Sequence, residues 1–276
     1  MKRKIVMDSA GDIKTMEGAC FASVPLKILA GEREFTDDIN VDVGNMVSYL
    51  KEYKGKSSTA CPSVGDYLAA FDDAEEVFCV TITSGLSGSC GAARIAADTY
   101  VEQYPQRKVH VLDSLSAGAE MTMVAQKIRE LIRLELSFEK IRDAAEEYCQ
   151  KCKLLFCLES LTNLANNGRV PAAVAKLTGI LGIRMIGIAS EQGTLQTTGK
   201  ARGEKKVPGE ILKTLVAQGY NGGKMLIHHC FNLPAAQRVK ELVLEHFPKA
   251  EVAIGVTGAL CSFYAELGGL MIGFEA

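Results

Sequence analysis

Hydroxyl-bearing residues crowd one short turn of this chain, Thr83-Ser84-Gly85-Leu86-Ser87-Gly88-Ser89. The turn follows a compact apolar run, VFCVTI (77–82), and precedes an Ala-rich segment with Arg94 and Asp98 on its polar side. The run is β-branched and bounded by turn residues, which predicts a buried parallel strand. The Ala-rich segment predicts a helix whose N-terminus points back at the turn. Two glycines let the backbone approach a ligand closely. Hydroxyls beside the N–H groups of a helix start form an anion site that needs no cationic side chain.

Residue types then narrow the chemistry. No Lys follows the glycines, so the turn is not a GxxxxGK(S/T) phosphate loop, and it lacks the GxGxxG spacing. Ser89 stands where a GxSxG nucleophile elbow would carry its second glycine. A serine-dependent esterase or hydrolase using Ser84 or Ser87 stays open, but it needs a base within hydrogen-bond reach. The histidines are His110, His228, His229 and His246, none in an obvious strand-end loop. The plainer alternative is a tight turn whose small residues serve packing. Cys149 and Cys152 form a CxxC in a helical pattern, with no second pair and no nearby His, so neither a zinc site nor a thioredoxin-type motif is expected. Asp8 and Asp12 have metal-ligand chemistry, but paired carboxylates are common at strand ends and no metal is expected there.

Alternating elements must position that turn. KIVMD (4–8) reads as a first strand ending in a polar cluster, and ASVPLKIL (22–29) as one extended stretch. Residues 32–42 are charged and loop-like, 43–53 an amphipathic helix, and GKSSTACPSVG (55–65) a Ser/Thr-rich loop containing Thr59. Ser63 is placed to cap a helix over 64–73, with Asp66 at its third position. KVHVLD (108–113) alternates like a strand, followed by helices over 119–133 and from Ser137 to about residue 152. Strand and helix in alternation predict a mostly parallel sheet flanked by helices. Beyond residue 153 the style changes. Strands are expected at 154–158, 183–189, 195–198, 223–230, 250–256 and 267–274, with helices at 160–166, 172–179, 202–218 and 234–247. That pattern predicts a second α/β domain with a mixed sheet. The expected domains are therefore 1–153 and 154–276.

Composition limits the partners. The chain has 276 residues, 47% of them hydrophobic, a formal charge of −2 and no Trp. It offers neither the basic surface nor the stacking aromatics of a nucleic-acid binder. No run approaches the about 20 apolar residues of a membrane span, and the basic N-terminus lacks the apolar core of a signal peptide. Nine cysteines, an odd number and several in apolar runs, point to reduced thiols and a cytoplasmic setting.

Five segments in order give the chain a likeness. DSAGDI (8–13) looks like DSTADL, TACPSVGDY (59–67) like TSQPSxGDF, and TSGLSGS (83–89) like SSGLSGT. VLDSLSAGAEM (111–121) and LTNLANNGRV (161–170) match two further motifs of the same set. The chain resembles the DegV family, which includes the fatty-acid-binding subunits of bacterial fatty acid kinase. The resemblance implies two α/β domains with a long-chain fatty acid between them, its acyl chain in an apolar tunnel. It implies that Thr59 and Ser84, helped by amides around Gly85, hold the carboxylate, and that Arg169 faces the mouth and the partner. It also implies a protein that is not itself a catalyst, needs no cofactor, and presents its lipid to a separate ATP-dependent kinase subunit. One departure falls at the head group: where the family carries a His by the carboxylate, this chain has Cys261, and Phe263-Tyr264-Ala265 replace the Gly-Pro-Gly that follows.

Overall fold

The computed structural model describes residues 2–175 and 182–276. The first half is built on a parallel sheet of order β2-β1-β6-β7, from β1 (Arg3–Asp8), β2 (Phe21–Val24), β6 (Glu76–Thr81) and β7 (Lys108–Asp113). Alternation sorts its side chains. Val6, Val77 and Cys79 pack with α2 (Val64–Phe71) and α3 (Ser89–Gln103). Ile5, Met7, Phe78 and Val80 face the other way, toward α4 (Ala119–Arg133) and α5 (Phe138–Lys151). Both faces are covered, so the strands are nearly continuous apolar runs, as parallel sheets require. Ser63 caps α2 in a full capping box with Asp66, and Ser137 caps α5.

The second half carries a mixed sheet of order β10-β9-β8-β13-β11-β12. Its strands are β8 (Cys152–Leu158), β9 (Ile183–Ala189), β10 (Leu195–Arg202), β11 (Lys224–His229), β12 (Glu251–Val256) and β13 (Leu270–Glu275). Only β11 and β12 run parallel; the other neighbours are antiparallel. Leu155, Cys157, Ile272 and Phe274 point to α8 (Val207–Ala217) and α9 (Leu233–His246). Leu154, Phe156, Leu158 and Met271 point back to the first half and share its core. Helix α4 lies between the two sheets. It approaches β13 so closely that a Cβ on Gly273 would come within 2.6 Å of the Glu120 backbone nitrogen.

Several expectations need correction. The extended stretch at 22–29 is two strands in different sheets, broken at Pro25-Leu26. β3 (Lys27–Ala30) turns at Gly31, φ +64°, into β4 (Arg33–Thr36), inside the segment read as a charged loop. The Ser/Thr-rich loop contains β5 (Ser57–Ala60), which completes an antiparallel sheet of order β4-β3-β5 beside α1 (Val43–Glu52). These strands have four residues each and carry Lys, Arg, Glu and Ser, so neither length nor hydrophobicity marked them. The helix expected from residue 202 starts at Val207, because β10 runs on through Arg202. In the connection after β8, α6 (Thr162–Asn166) precedes α7 (Ala172–Ala175); the remainder of the helix expected to 179 lies outside the described residues. A final helix, α10 (Ala259–Ala265), was not anticipated.

Candidate functional site

A cavity opens where the halves meet, with about 670 Å³ of space unfilled by protein atoms and in part continuous with solvent. The floor is the inward face of the mixed sheet: Leu154, Phe156 and Leu158 at alternate positions of β8, and Met271 of β13. Leu164 of α6, and Leu260 and Ala265 of α10, close one side; Leu26, Ile82, Leu86 and Ala117 come from the first half. The polar groups on this lining are few: Thr59, Ser87, Arg169, Cys261 and Tyr264. An apolar slot with a small polar set is the usual form of a small-molecule site.

The slot depends on tight sheet packing behind it. The Phe156 ring lies over Gly187 of β9, where any Cβ would strike both that ring and the Gln196 carbonyl. Gly187→Ala is expected to cost about 1–3 kcal/mol, as overpacking does, and to push Phe156 toward the cavity. Urea unfolding checks the first effect; an unchanged midpoint would show that β9 and β10 yield freely.

Each sequence-derived residue can now be located. Thr59 lies on β5, not in a loop, and lines the cavity, with its hydroxyl 2.7 Å from the Tyr264 phenol oxygen. The turn after β6 winds on the Thr83 carbonyl, which accepts the Leu86 and Ser87 N–H groups at 3.2 Å each. In that turn Ser84 is exposed and gives its N–H to the Asp113 carboxylate at 3.1 Å. Gly85 is also exposed, and its N–H is taken by Thr83 Oγ1 at 3.0 Å. A Cβ on Gly85 would meet the Gln192 and Gly193 carbonyls of the hairpin between β9 and β10. Gly85 therefore faces that hairpin, Ser84 is held by Asp113, and the turn serine that lines the cavity is Ser87.

Arg169 is half-buried on the lining. Its Nε donates to the Leu86 carbonyl at 3.2 Å and one Nη to the Asn167 carbonyl at 2.5 Å, and its guanidinium carbon sits 5.8 Å from the Tyr264 ring centroid. Cys261 is buried and turns its sulfur to the Ala10 carbonyl at 3.3 Å. Burial pushes that thiol well above its usual range, so it stays neutral and is a weak donor.

Two buried carboxylate networks hold these elements in place. Asp8, fully buried at the end of β1, accepts from Ile82 N at 2.9 Å, Ser89 Oγ at 2.6 Å and Ala10 N at 3.2 Å. Burial pushes Asp8 up to about 6 against the pull of those bonds, so it is ionised at pH 7. It ties the start of α3 to the first strand. Asp37, also fully buried, accepts from Ala259 N at 2.9 Å and Leu260 N at 3.1 Å, with Lys14 Nζ at 2.7 Å. Asp12 takes the Gly258 N–H at 2.8 Å and sits 2.7 Å from His228 Nδ1. Together they fix the N-terminus of α10. The polar ending of β1 was visible in the sequence; the roles of Asp37 and Asp12 were not, because the amides they hold at the start of α10 lie more than 200 residues away.

No hydrogen bond joins a histidine to Ser84 or Ser87 among the described residues. His228 pairs with Asp12, His229 Nδ1 accepts from Asn232 N, and His110 lies against Glu146. Among the described residues, no histidine is thus placed as the base an esterase would need beside either serine. Among the described residues no three His, Cys, Asp or Glu side chains gather as a metal would require; Asp8 and Asp12 belong to separate networks.

Residues 2–276 match the model of a family described as "uncharacterised protein, DegV family". The chain belongs to the DegV family. A DegV domain-containing protein of Streptococcus pneumoniae is 42% identical over 279 residues, covering all of this chain and 99% of that one. Among solved structures, a DegV family protein from Eubacterium eligens loaded with heptadecanoic acid is similar with a TM-score of 0.97 and 41% identity, covering 99% of both chains. The fatty acid kinase B3 protein of S. pneumoniae, loaded with linoleic acid, has a TM-score of 0.97 and 42% identity, covering 100% of this chain and 99% of that one. The two-domain α/β architecture here is thus that of DegV proteins. No helix among the described residues of this DegV chain is long and apolar enough to cross a membrane.

Proposed function

We propose that this DegV protein binds one long-chain fatty acid, with the acyl chain along the inward face of β8 and β13 and the carboxylate at the end lined by Thr59, Ser87 and Arg169. The observation that carries this reading is the lining itself, a largely apolar wall with its hydrogen-bonding groups confined to a handful of residues. Burying a chain of about 15 methylenes is favourable by on the order of 10 kcal/mol before the costs of binding. A carboxylate suits hydroxyl donors beside one cation, since charge-assisted hydrogen bonds are stronger than neutral ones. The likeness to lipid-loaded relatives supports the same ligand class.

The likeness to the fatty acid kinase B3 protein supports a carrier role, in which a separate ATP-dependent kinase subunit acts on the presented carboxylate. In that reading the chain itself is not the catalyst, and Arg169, half-buried on the lining, faces the mouth and the partner. We infer a cytoplasmic setting, because nine unpaired cysteines suit a reducing compartment.

Protein purified gently from a bacterial host is expected to carry an added mass equal to one fatty acid in native mass spectrometry, and the delipidated protein to rebind linoleate or heptadecanoate. Absence of any acyl adduct, together with no binding of either acid, would overturn the reading.

A further inference from the structure

The polar end of the cavity contains a contact that the sequence gives no reason to expect. Thr59 on β5 and Tyr264 on α10, 205 positions apart, bring their hydroxyl oxygens to 2.7 Å. Both line the cavity. Of the α10 side chains on that lining, Leu260 and Ala265 are apolar, and Cys261 is turned to the Ala10 carbonyl. Tyr264 is the one that presents a strong hydrogen-bond donor.

Its chemistry suits an anion. Burial pushes the phenol above its usual range, so it keeps its proton and acts as a donor at neutral pH. When two hydroxyls bond to each other, one hydrogen lies between them and the other is left to point elsewhere. An acceptor-only group placed beside the pair takes both hydrogens, one from each oxygen, and gains two charge-assisted bonds for one neutral bond lost. The guanidinium of Arg169 over the same ring adds positive charge on that side. The phenol is also held ready: Asp37 and Asp12 anchor the start of α10, and Asn163 Nδ2 bonds to the Phe263 carbonyl at 2.8 Å. A donor fixed before binding costs less to order when the ligand arrives.

We propose that Tyr264 binds the ligand's head group directly, its phenol and the Thr59 hydroxyl turning from each other onto one carboxylate, so that this pair selects a free acid over its neutral ester. The proposal rests on the fatty-acid reading above and adds the residue that discriminates the head group.

The test measures the affinity of linoleate and of methyl linoleate for delipidated wild-type protein, Tyr264→Phe, Thr59→Val and the double variant. Phenylalanine keeps the ring and its edge-on contact with Phe263, whose centroid is 4.8 Å away. Tyr264→Phe is expected to weaken linoleate by roughly 10–100-fold, the range for a hydrogen bond to a charged group, and the methyl ester only a few-fold. A similar loss of linoleate is expected when Tyr264→Phe is added to Thr59→Val. Equal losses for acid and ester, or no loss, would overturn the proposal. So would a loss that vanishes in the Thr59→Val background, since Tyr264 would then only orient Thr59. If wild-type protein bound neither acid nor ester, the lipid reading would fall and the tyrosine's role with it.

Discussion

Asp37→Ala is expected to lower folding stability by about 3–5 kcal/mol, the range for breaking a buried ion pair from one side. The carboxylate is fully buried and receives two backbone N–H groups from the first turn of α10, as well as the charge of Lys14. Removing it strands both amides and the ammonium. The Lys14 side chain is 16% exposed, but its ammonium nitrogen is buried, so the stranded charge stays inside the protein. Because α10 carries Leu260, Cys261, Tyr264 and Ala265 of the cavity lining, lipid retention should fall with stability. Urea denaturation gives the first quantity. Lys14→Met added to Asp37→Ala should recover part of the loss, since the uncompensated cation is then gone. A single-variant cost below about 1 kcal/mol, the size of an ordinary neutral hydrogen bond, would show that Asp37 does not anchor the helix.

Glu120 is expected to make stability fall as the pH rises. It sits in the first turn of α4, 2% exposed, where that helix packs on Gly273. Burial pushes its carboxyl from 4.5 up to about 8, opposed only in part by Ser116. The sign follows from proton uptake. Below about 4.5 the folded and unfolded carboxyls are both protonated, and nothing is lost. Between about 4.5 and about 8 the unfolded chain has released its proton while the folded chain still holds it, so each pH unit favours unfolding. Above about 8 both are ionised and the loss is complete. Glu120→Gln removes this dependence. At pH 8 the variant should be more stable than the parent by on the order of a few kcal/mol, with the difference shrinking toward zero at acid pH. A difference independent of pH, or a less stable variant at pH 8, would show that Glu120 is charged in the fold.

The helix starts and the parallel sheet were legible because their signals are local. Ser63 with Asp66, and Ser137 ahead of Phe138, mark caps within four residues of chain, and the runs in β1 and β6 carry their burial in their composition. The small antiparallel sheet was not legible. Its strands are half polar, and one edge of β5 is finished by side chains from elsewhere, such as Asn167, which bonds to the Ser57 carbonyl at 3.3 Å. Helix α10 was missed for a different reason. Nearly every residue from Ala259 to Ala265 is buried, so it shows no amphipathic period.

By itself the sequence determined the class of this protein: α/β layers, an Asp-ended first strand, a hydroxyl-rich turn before α3, and five ordered motifs of the DegV family. Those features depend on neighbours along the chain, and neighbours are what a sequence displays. Only the tertiary structure decided which hydroxyls meet. It turned Gly85 toward the β9–β10 hairpin, tied Ser84 to Asp113 and put Ser87 on the cavity wall. It made Cys261 a buried thiol beside Ala10 and brought Tyr264 to Thr59. The reason is directional. A hydrogen bond is made or lost within a few tenths of an ångström and some tens of degrees, and in this cleft those values are set by separate sheets and by α10, elements far apart in the chain.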